Sequence, residues 1–229
     1  MSTIAILPVK SFGAAKQRLA DALGAGSRQA LAQAMFSDVL ASLRRVPGLD
    51  SVAVVTADRV AETAALGERV QVLRDTEQRG QSAAALIGIR HALARGFSRV
   101  LLVPGDTPLL DPGEVAGLLR HGTEAQLGAV IVPDRHGEGT NALLLSPPDA
   151  IEPSFGPGSC ERHAQAARAA GVPCAVERVP TLALDVDTGQ DLYVLAATLE
   201  ARRGQAPSTR GALRQRDRSR SWRRPPVPA

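Results

Sequence analysis

Arg99-Val100-Leu101-Leu102-Val103-Pro104-Gly105-Asp106-Thr107-Pro108 is the stretch on which the fold turns. Residues 100–103 are apolar with no alternating polar position, which predicts a strand buried on both faces. Pro104-Gly105 ends it, so Asp106 is set down just past the strand's carboxyl end. Working outward, the same grammar repeats. Strand-like segments are read at 3–9, 51–56, 70–73, 127–132, 142–145 and 175–179. Between them lie helical patterns. One follows an N-cap at Ser27, with Leu31, Met35, Val39, Leu43 and Val46 at helical spacing, and others cover 58–67 and 82–95. A further helix opens with the cap-then-proline pair Asp111-Pro112, and the last two cover 159–170 and 188–203. Alternation of this kind predicts an α/β fold, a single domain with a mostly parallel sheet and helices on both faces. Ligands of such sheets bind beyond the carboxyl ends of the strands, so the loops that follow strands are where chemistry is sought.

The 229 residues suffice for one large domain. Aromatics are only 3% of them, which argues against a nucleic-acid face built of stacked rings. No apolar run approaches the roughly 20 residues that span a bilayer, so no membrane partner is expected. Met1-Ser2-Thr3 leads into an apolar strand without a basic leader, and two cysteines, Cys160 and Cys174, provide no disulfide framework. A cytoplasmic protein is the expectation. The net charge of +4 hides a division. Residues 202–229 hold nine Arg against one Asp, which leaves 18 basic and 22 acidic residues, or −4, in the body. The domain is accordingly read as 1–203, and 204–229 as a basic tail that is too poor in aliphatic residues to order. Such a tail binds nucleic acid non-specifically, whether it is a polyanion arm or an unselected extension.

Three cations, Lys10, Lys16 and Arg18, lie in the loop after the first strand, separated by small residues that let a backbone approach a ligand. Cations and amides together suit a triphosphate, although the Gly-x-x-x-x-Gly-Lys-Ser/Thr loop is absent. A solvated basic loop is the alternative. Asp106 fits a divalent metal or, equally, a turn cap. In Asp185-Val186-Asp187-Thr188 an extended backbone puts both carboxylates on one face, where a cation would relieve their repulsion. Asp187 could instead cap the last helix. Gly137 and Gly139, with Thr140 and Asn141, form a tight loop that faces an anion or simply turns a hairpin. Ser159, behind Phe155-Gly156-Pro157-Gly158, is read as the N-cap of a helix whose start favours anions. His136 and His163 lack zinc-ligand spacing, and no covalent nucleophile is signalled.

In order, these segments resemble the guanylyltransferases of coenzyme F420 biosynthesis, which take 2-phospho-L-lactate or, in actinobacteria, phosphoenolpyruvate. The resemblance covers residues 3–200 and rests on Pro8-Val9-Lys10 with Lys16 and Arg18, Gly105-Asp106-Thr107-Pro108, Gly139-Thr140-Asn141-Ala142, Phe155-Gly156 with Ser159 and His163, and Asp185-Val186-Asp187-Thr188. It implies a nucleotide-diphospho-sugar transferase fold like that of the molybdenum-cofactor guanylyltransferases. It further implies Mg²⁺ on Asp106, Asp185 and Asp187, and a phosphorylated three-carbon acid on Thr140, Gly156 and Ser159. The triphosphate of GTP would meet Lys10, Lys16 and Arg18, and residues 75–84 would read guanine. A downstream lactyl- or enolpyruvyl-transferring enzyme would accept the product. Two features depart from the family pattern. Gly80-Gln81-Ser82-Ala83 stands where many members carry Asn, and the basic tail has no counterpart. Other readings are a nucleotidyltransferase of 3-phosphoglycerate or a sugar phosphate, and a nucleic-acid-binding protein acting through the tail.

Overall fold

The segment that holds Asp106 is one of the inner strands of a seven-stranded sheet ordered β3-β2-β1-β4-β6-β5-β7, in which β1 is Thr3–Val9, β2 Ser51–Thr56, β3 Gln71–Arg74, β4 Arg99–Leu102, β5 Ala129–Pro133, β6 Thr140–Leu145 and β7 Cys174–Val176. The computed structural model describes residues 1–14 and 16–221. Strands β1, β2, β3 and β4 are mutually parallel, β7 is parallel to β5, and only β6 runs against its neighbours β4 and β5. This reversal matters for the site. The first residues of β6, Thr140 and Asn141, come to lie at the same end of the sheet as the carboxyl termini of β1, β4 and β5.

Helices cover both faces, as the run of strands without a polar side requires. Against one face pack α1 (Ala25–Leu43), α2 (Arg59–Gly67) and α4 (Pro112–Glu124), with Phe36, Val39, Ala61 and Leu118 meeting Leu7, Val54, Leu101 and Leu144. Against the other pack α3 (Gln81–Ala94) and α5 (Ser159–Ala169), through Ala85, Ile89 and Ala164 onto Ile4, Ile6, Val100 and Leu143. The approach of α3 to β1 depends on Gly88, where an added Cβ would lie 2.3 Å from a methyl of Ile6. No helix among the described residues is long and apolar enough to cross a membrane.

Two expectations about helix ends are corrected. Helix α1 begins at Ala25 with Gly24 in the N-cap place, not at Ser27. Helix α6 (Gly189–Ala201) is capped by Thr188, whose hydroxyl accepts from the Asp191 N–H while Asp191 bonds back, so Asp187 is not the cap.

The larger correction concerns the tail. Residues Pro207–Ser221 form α7, which packs along α1 rather than leaving the body. Ala206 and Leu213 are buried in a third apolar cluster with Leu31, Met35, Leu195 and Leu199. The reason no local signal announces it is that its cap is remote. Asp38, buried on α1, accepts the N–H groups of Ser208 and Thr209 at 3.0 and 2.7 Å. The boundary read at 203/204 therefore cuts through the folded body. The Trp222-Arg223-Arg224 run lies outside the described residues.

Candidate active site

The loop after β1 makes two short 3-10 turns, Phe12–Ala14 and Gln17–Leu19. It is anchored on either side of Lys16. The Phe12 N–H donates to Asp58 Oδ2 at 3.0 Å, and its ring lies on Phe36 with centroids 5.7 Å apart. The other oxygen of Asp58 caps α2, so one carboxylate fixes loop and helix together. Leu19 is fully buried. Between these anchors Lys16 adopts a left-handed backbone, φ 58, which a non-glycine residue keeps only when its surroundings enforce it. Its Nζ donates to Asp106 Oδ2 at 2.5 Å and to Asp187 Oδ1 at 2.8 Å, and the side chain is 7% exposed. Burial by itself would lower the lysine pKa. The carboxylates of Asp106 and Asp187 outweigh it and hold the ammonium above the ordinary lysine range.

Asp185 joins from the same loop. Burial first, then Asp106 and to a smaller degree Asp187, push its carboxyl up to about 6, against the opposing hydrogen bond from Asn141. The Asn141 Nδ2 donates to Asp185 Oδ1 at 3.1 Å and to the carbonyls of Leu182 and Ala183 at 2.9 and 3.2 Å, tying the start of β6 to this loop. Asp191 holds the loop from the other side. Its Oδ2 accepts the N–H groups of Asp187 and Thr188 at 3.1 and 2.7 Å, and its Oδ1 pairs with Arg135 at 2.7 Å.

The three aspartates thus meet at one end of the sheet, but not as the cluster the sequence suggested. A lysine ammonium stands between Asp106 and Asp187, and among the described residues no three His, Cys, Asp or Glu side chains are gathered closely enough to hold a metal ion. One feature does fit a hard cation. Asp106 Oδ1 is buried and has no hydrogen-bond partner among the described residues, and an all-oxygen set of few carboxylates is what Mg²⁺ takes when waters and substrate phosphates complete its shell.

A cavity of about 440 Å³ opens beside this cluster, lined by Lys10, Lys16, Asp75, Gly80, Asp106 and Asp187. Helix α3 starts at its wall with Gly80 at φ 100 and no side-chain cap, so the opening amides of the helix are available to an anion. Arg18 does not join: it is exposed and stays off the cavity lining. Asp75 was not singled out from the sequence as a side chain. It is a buried carboxylate whose Oδ1 accepts the Gln78 N–H at 2.9 Å, and only its place after β3, at the ligand-binding end, could have marked it.

The remaining expected residues form a second cluster on the α5 side. Thr140 Oγ1 lies 3.0 Å from His163 Nδ1 and accepts from Ser159 Oγ at 3.1 Å. Ser159 is the first residue of α5 rather than its cap. Gly158 holds that place in a left-handed conformation, and the Ser159 N–H donates to the Gly156 carbonyl at 3.0 Å. Gly156 itself sits at φ 113, which glycine alone adopts without strain. The Phe155 N–H donates to Ser82 Oγ at 2.9 Å, so this loop is docked on the start of α3, beside the cavity. His163 was noted in the sequence as lacking zinc-ligand spacing and as part of the resemblance with Phe155-Gly156 and Ser159, without a role of its own; it is fully buried at the centre of this cluster.

The family described as "Guanylyl transferase CofC like" matches residues 3–204. Among curated proteins, the phosphoenolpyruvate guanylyltransferase of Conexibacter woesei is 51% identical over 215 residues, covering 94% of this chain and 96% of that one. The 2-phospho-L-lactate guanylyltransferase of Methanothermobacter thermautotrophicus is 35% identical over 84% of this chain and 83% of its own length. A solved structure from Desulfovibrio desulfuricans G20, described as a nucleotide-diphospho-sugar transferase, superposes with a TM-score of 0.76 at 22% identity, over 95% and 96% of the two chains, which establishes the shared fold.

Proposed function

Because the chain belongs to the CofC-like guanylyl transferase family, we propose that it transfers the guanylyl group of GTP to phosphoenolpyruvate in coenzyme F420 biosynthesis. It is a guanylyltransferase, and so a nucleotidyltransferase. The choice of phosphoenolpyruvate over 2-phospho-L-lactate rests on the name of the relative at 51% identity. The observation that carries the assignment of the site is the meeting of Lys16, Asp106 and Asp187 at the mouth of a cavity beyond the carboxyl ends of the strands.

In this reading the cavity takes GTP. Asp75 and the residues up to 84 face the base, and Lys10, Lys16 and the open amides of α3 face the phosphates. Thr140, Gly156 and Ser159 hold the three-carbon acid. A phosphate oxygen of that acid attacks the α-phosphorus of GTP, a new P–O bond forms, and the bond to the departing pyrophosphate breaks. The nucleophile is already anionic, so no general base is needed. The chain's own part is to place two anions in line and to set cations where charge builds on the transferring phosphorus. Asp106, Asp185 and Asp187 would hold Mg²⁺, which when bound neutralises phosphate oxygens as a Lewis acid. The product is a mixed anhydride, to be consumed by a transferase that accepts it downstream. The free thiols Cys160 and Cys174 suit the reducing cytoplasm to which we assign the protein.

Pyrophosphate release from GTP and Mg²⁺, measured with phosphoenolpyruvate, 2-phospho-L-lactate and 3-phosphoglycerate in turn and with the downstream transferase present to trap product, tests this. Turnover with phosphoenolpyruvate that is lost in Asp106→Ala supports it. Turnover only with another acid keeps guanylyl transfer and moves the acceptor. Turnover only with another nucleotide or a sugar phosphate removes the coenzyme assignment.

A further inference from the structure

The polarity of the hydroxyl groups at the acid subsite is decided one layer behind them. The backbone N–H of Ser154 donates to His163 Nε2 at 2.8 Å. An amide N–H can only donate, so Nε2 is the bare nitrogen, and the proton of the neutral ring is on Nδ1. The ring is kept neutral by burial and, secondarily, by Arg162, which hold its pKa down to about 4. Phe155 packs its ring edge-on against it, with centroids 5.3 Å apart. Nδ1–H therefore donates to Thr140 Oγ1 across 3.0 Å.

A count of hydrogens follows. Thr140 and Ser159 have one hydroxyl hydrogen each, and their mutual bond at 3.1 Å uses one. Because Thr140 accepts from His163 rather than donating to it, the second hydrogen remains, and among the described residues neither hydroxyl has a further protein acceptor. With the other tautomer, Thr140 would donate to Nδ1, Ser159 would donate to Thr140, and no hydrogen would be left. Thr140 and Ser159 are 6% and 1% exposed, so a leftover donor here is a nearly dry one that calls for a ligand oxygen.

We infer that His163 is a positioning residue: fixed by the Ser154 N–H as the Nδ1–H tautomer, it makes the Thr140–Ser159 pair a hydrogen-bond donor to an anionic oxygen of the acceptor acid. This rests on the assignment of Thr140 and Ser159 to the acid subsite made above. A neutral donor aimed at a carboxylate or phosphate oxygen forms a charge-assisted bond, stronger than one to a neutral group, so the device favours the ionised acid.

The test compares His163→Phe, which keeps a ring of similar size, with His163→Asn, whose amide nitrogen occupies the place of Nδ1. For His163→Phe the KM for the acid is expected to rise by about tenfold, with the KM for GTP unchanged, and His163→Asn recovers most of the loss. In a Thr140→Val background, His163→Phe has no further effect on the acid KM. An unchanged acid KM in His163→Phe overturns the inference, as does an equal rise in both KM values, or a folded His163→Asn that recovers nothing. Nitrogen-15 NMR of the imidazole in the wild-type protein gives an answer even if His163→Phe does not fold, because a proton on Nε2 contradicts it. A wild-type protein silent with all three acids fails a different statement, the acid assignment itself.

Discussion

Asp191 holds the backbone of Asp187: its Oδ2 accepts the Asp187 N–H at 3.1 Å while its Oδ1 pairs with Arg135 at 2.7 Å. A side chain of α6 thereby fixes the turn that presents a carboxylate to Lys16, and ties it to the loop before β6. Asp191→Ala removes a helix cap and leaves Arg135, 25% exposed, without its partner. The expected cost is about 2–4 kcal/mol in urea unfolding. Activity measured where the variant is fully folded is expected to fall by more than about tenfold, since Asp187 loses its register. A variant destabilised by this amount but fully active would separate Asp191 from the site.

Lys16 is a built-in counter-ion for Asp106 and Asp187. In Lys16→Ala the two carboxylates face each other without it, so thermal stability falls in the absence of divalent ions. Added Mg²⁺ is then expected to raise the Tm of Lys16→Ala by more than it raises that of the wild type. kcat drops by roughly 10²-fold or more, as a cation at the reacting phosphates is lost. Equal Mg²⁺ shifts in both proteins would detach Lys16 from the proposed cation site.

Much of this was legible because local signals and tertiary outcome coincide. The residues 100–103 and 3–9 have no polar face, and both became inner strands; Asp111-Pro112 capped α4 as written. Asp106 and Lys16 were singled out because strand ends mark the ligand side, and Asp185 and Asp187 because an i, i+2 carboxylate pair shares one face; the structure brings all four to one end of the sheet. What was missed depends on partners remote in sequence. The docking of α7 needs Asp38, 170 residues from Ser208, and a single Leu213 in an arginine-rich helix. Arg18 stays apart from the other two cations because sharing a loop in sequence does not share a direction: the 3-10 turns aim Lys16 inward and leave Arg18 in solvent. His163 belongs to the resemblance with Phe155-Gly156 and Ser159, but its spacing assigns it no chemistry. Its role exists only once the Ser154 amide and the Thr140 hydroxyl flank it.

The buried His163 also gives a pH dependence. Its folded pKa, about 4, lies below the ordinary 6.5, the first cause being burial and the second Arg162. At this ring the unfolded chain therefore binds more protons between these values, so His163 contributes a rise in stability with pH across that window. Asp185 opposes it: its carboxyl, pushed up to about 6, keeps its proton in the folded chain over the same range. The His163 contribution is complete above about pH 6.5 and is lost as pH falls toward 4, with an upper bound of about 3.4 kcal/mol. In His163→Phe the rising contribution is removed, so the slope of stability against pH across this segment is expected to be more negative than in the wild type. Chemical unfolding at half-unit pH intervals in both proteins measures it, and identical slopes between pH 4 and 6.5 would show that another group is responsible.

Helix α7 tests whether the basic extension is part of the body. Leu213 is 8% exposed within the cluster it shares with α1 and α6, so Leu213→Ala is expected to lower stability by about 2–3 kcal/mol through lost burial and the hole left behind. Asp38→Ala acts at the other end of the helix, leaving the Ser208 and Thr209 N–H groups without their carboxylate, at about 1–2 kcal/mol. Neither residue lines the cavity beside Lys16, so kcat/KM at moderate temperature should stay within about twofold of wild type, since surface and packing changes away from a site mainly alter stability. The two variants should also be cleaved faster by trypsin within residues 202–214, because undocking lets the helix unwind and frees peptide bonds after arginines that are mostly exposed already. Should both melt and be cleaved like the wild type, α7 would not be docked on α1 in solution, and the domain would end near residue 203 as the composition first suggested.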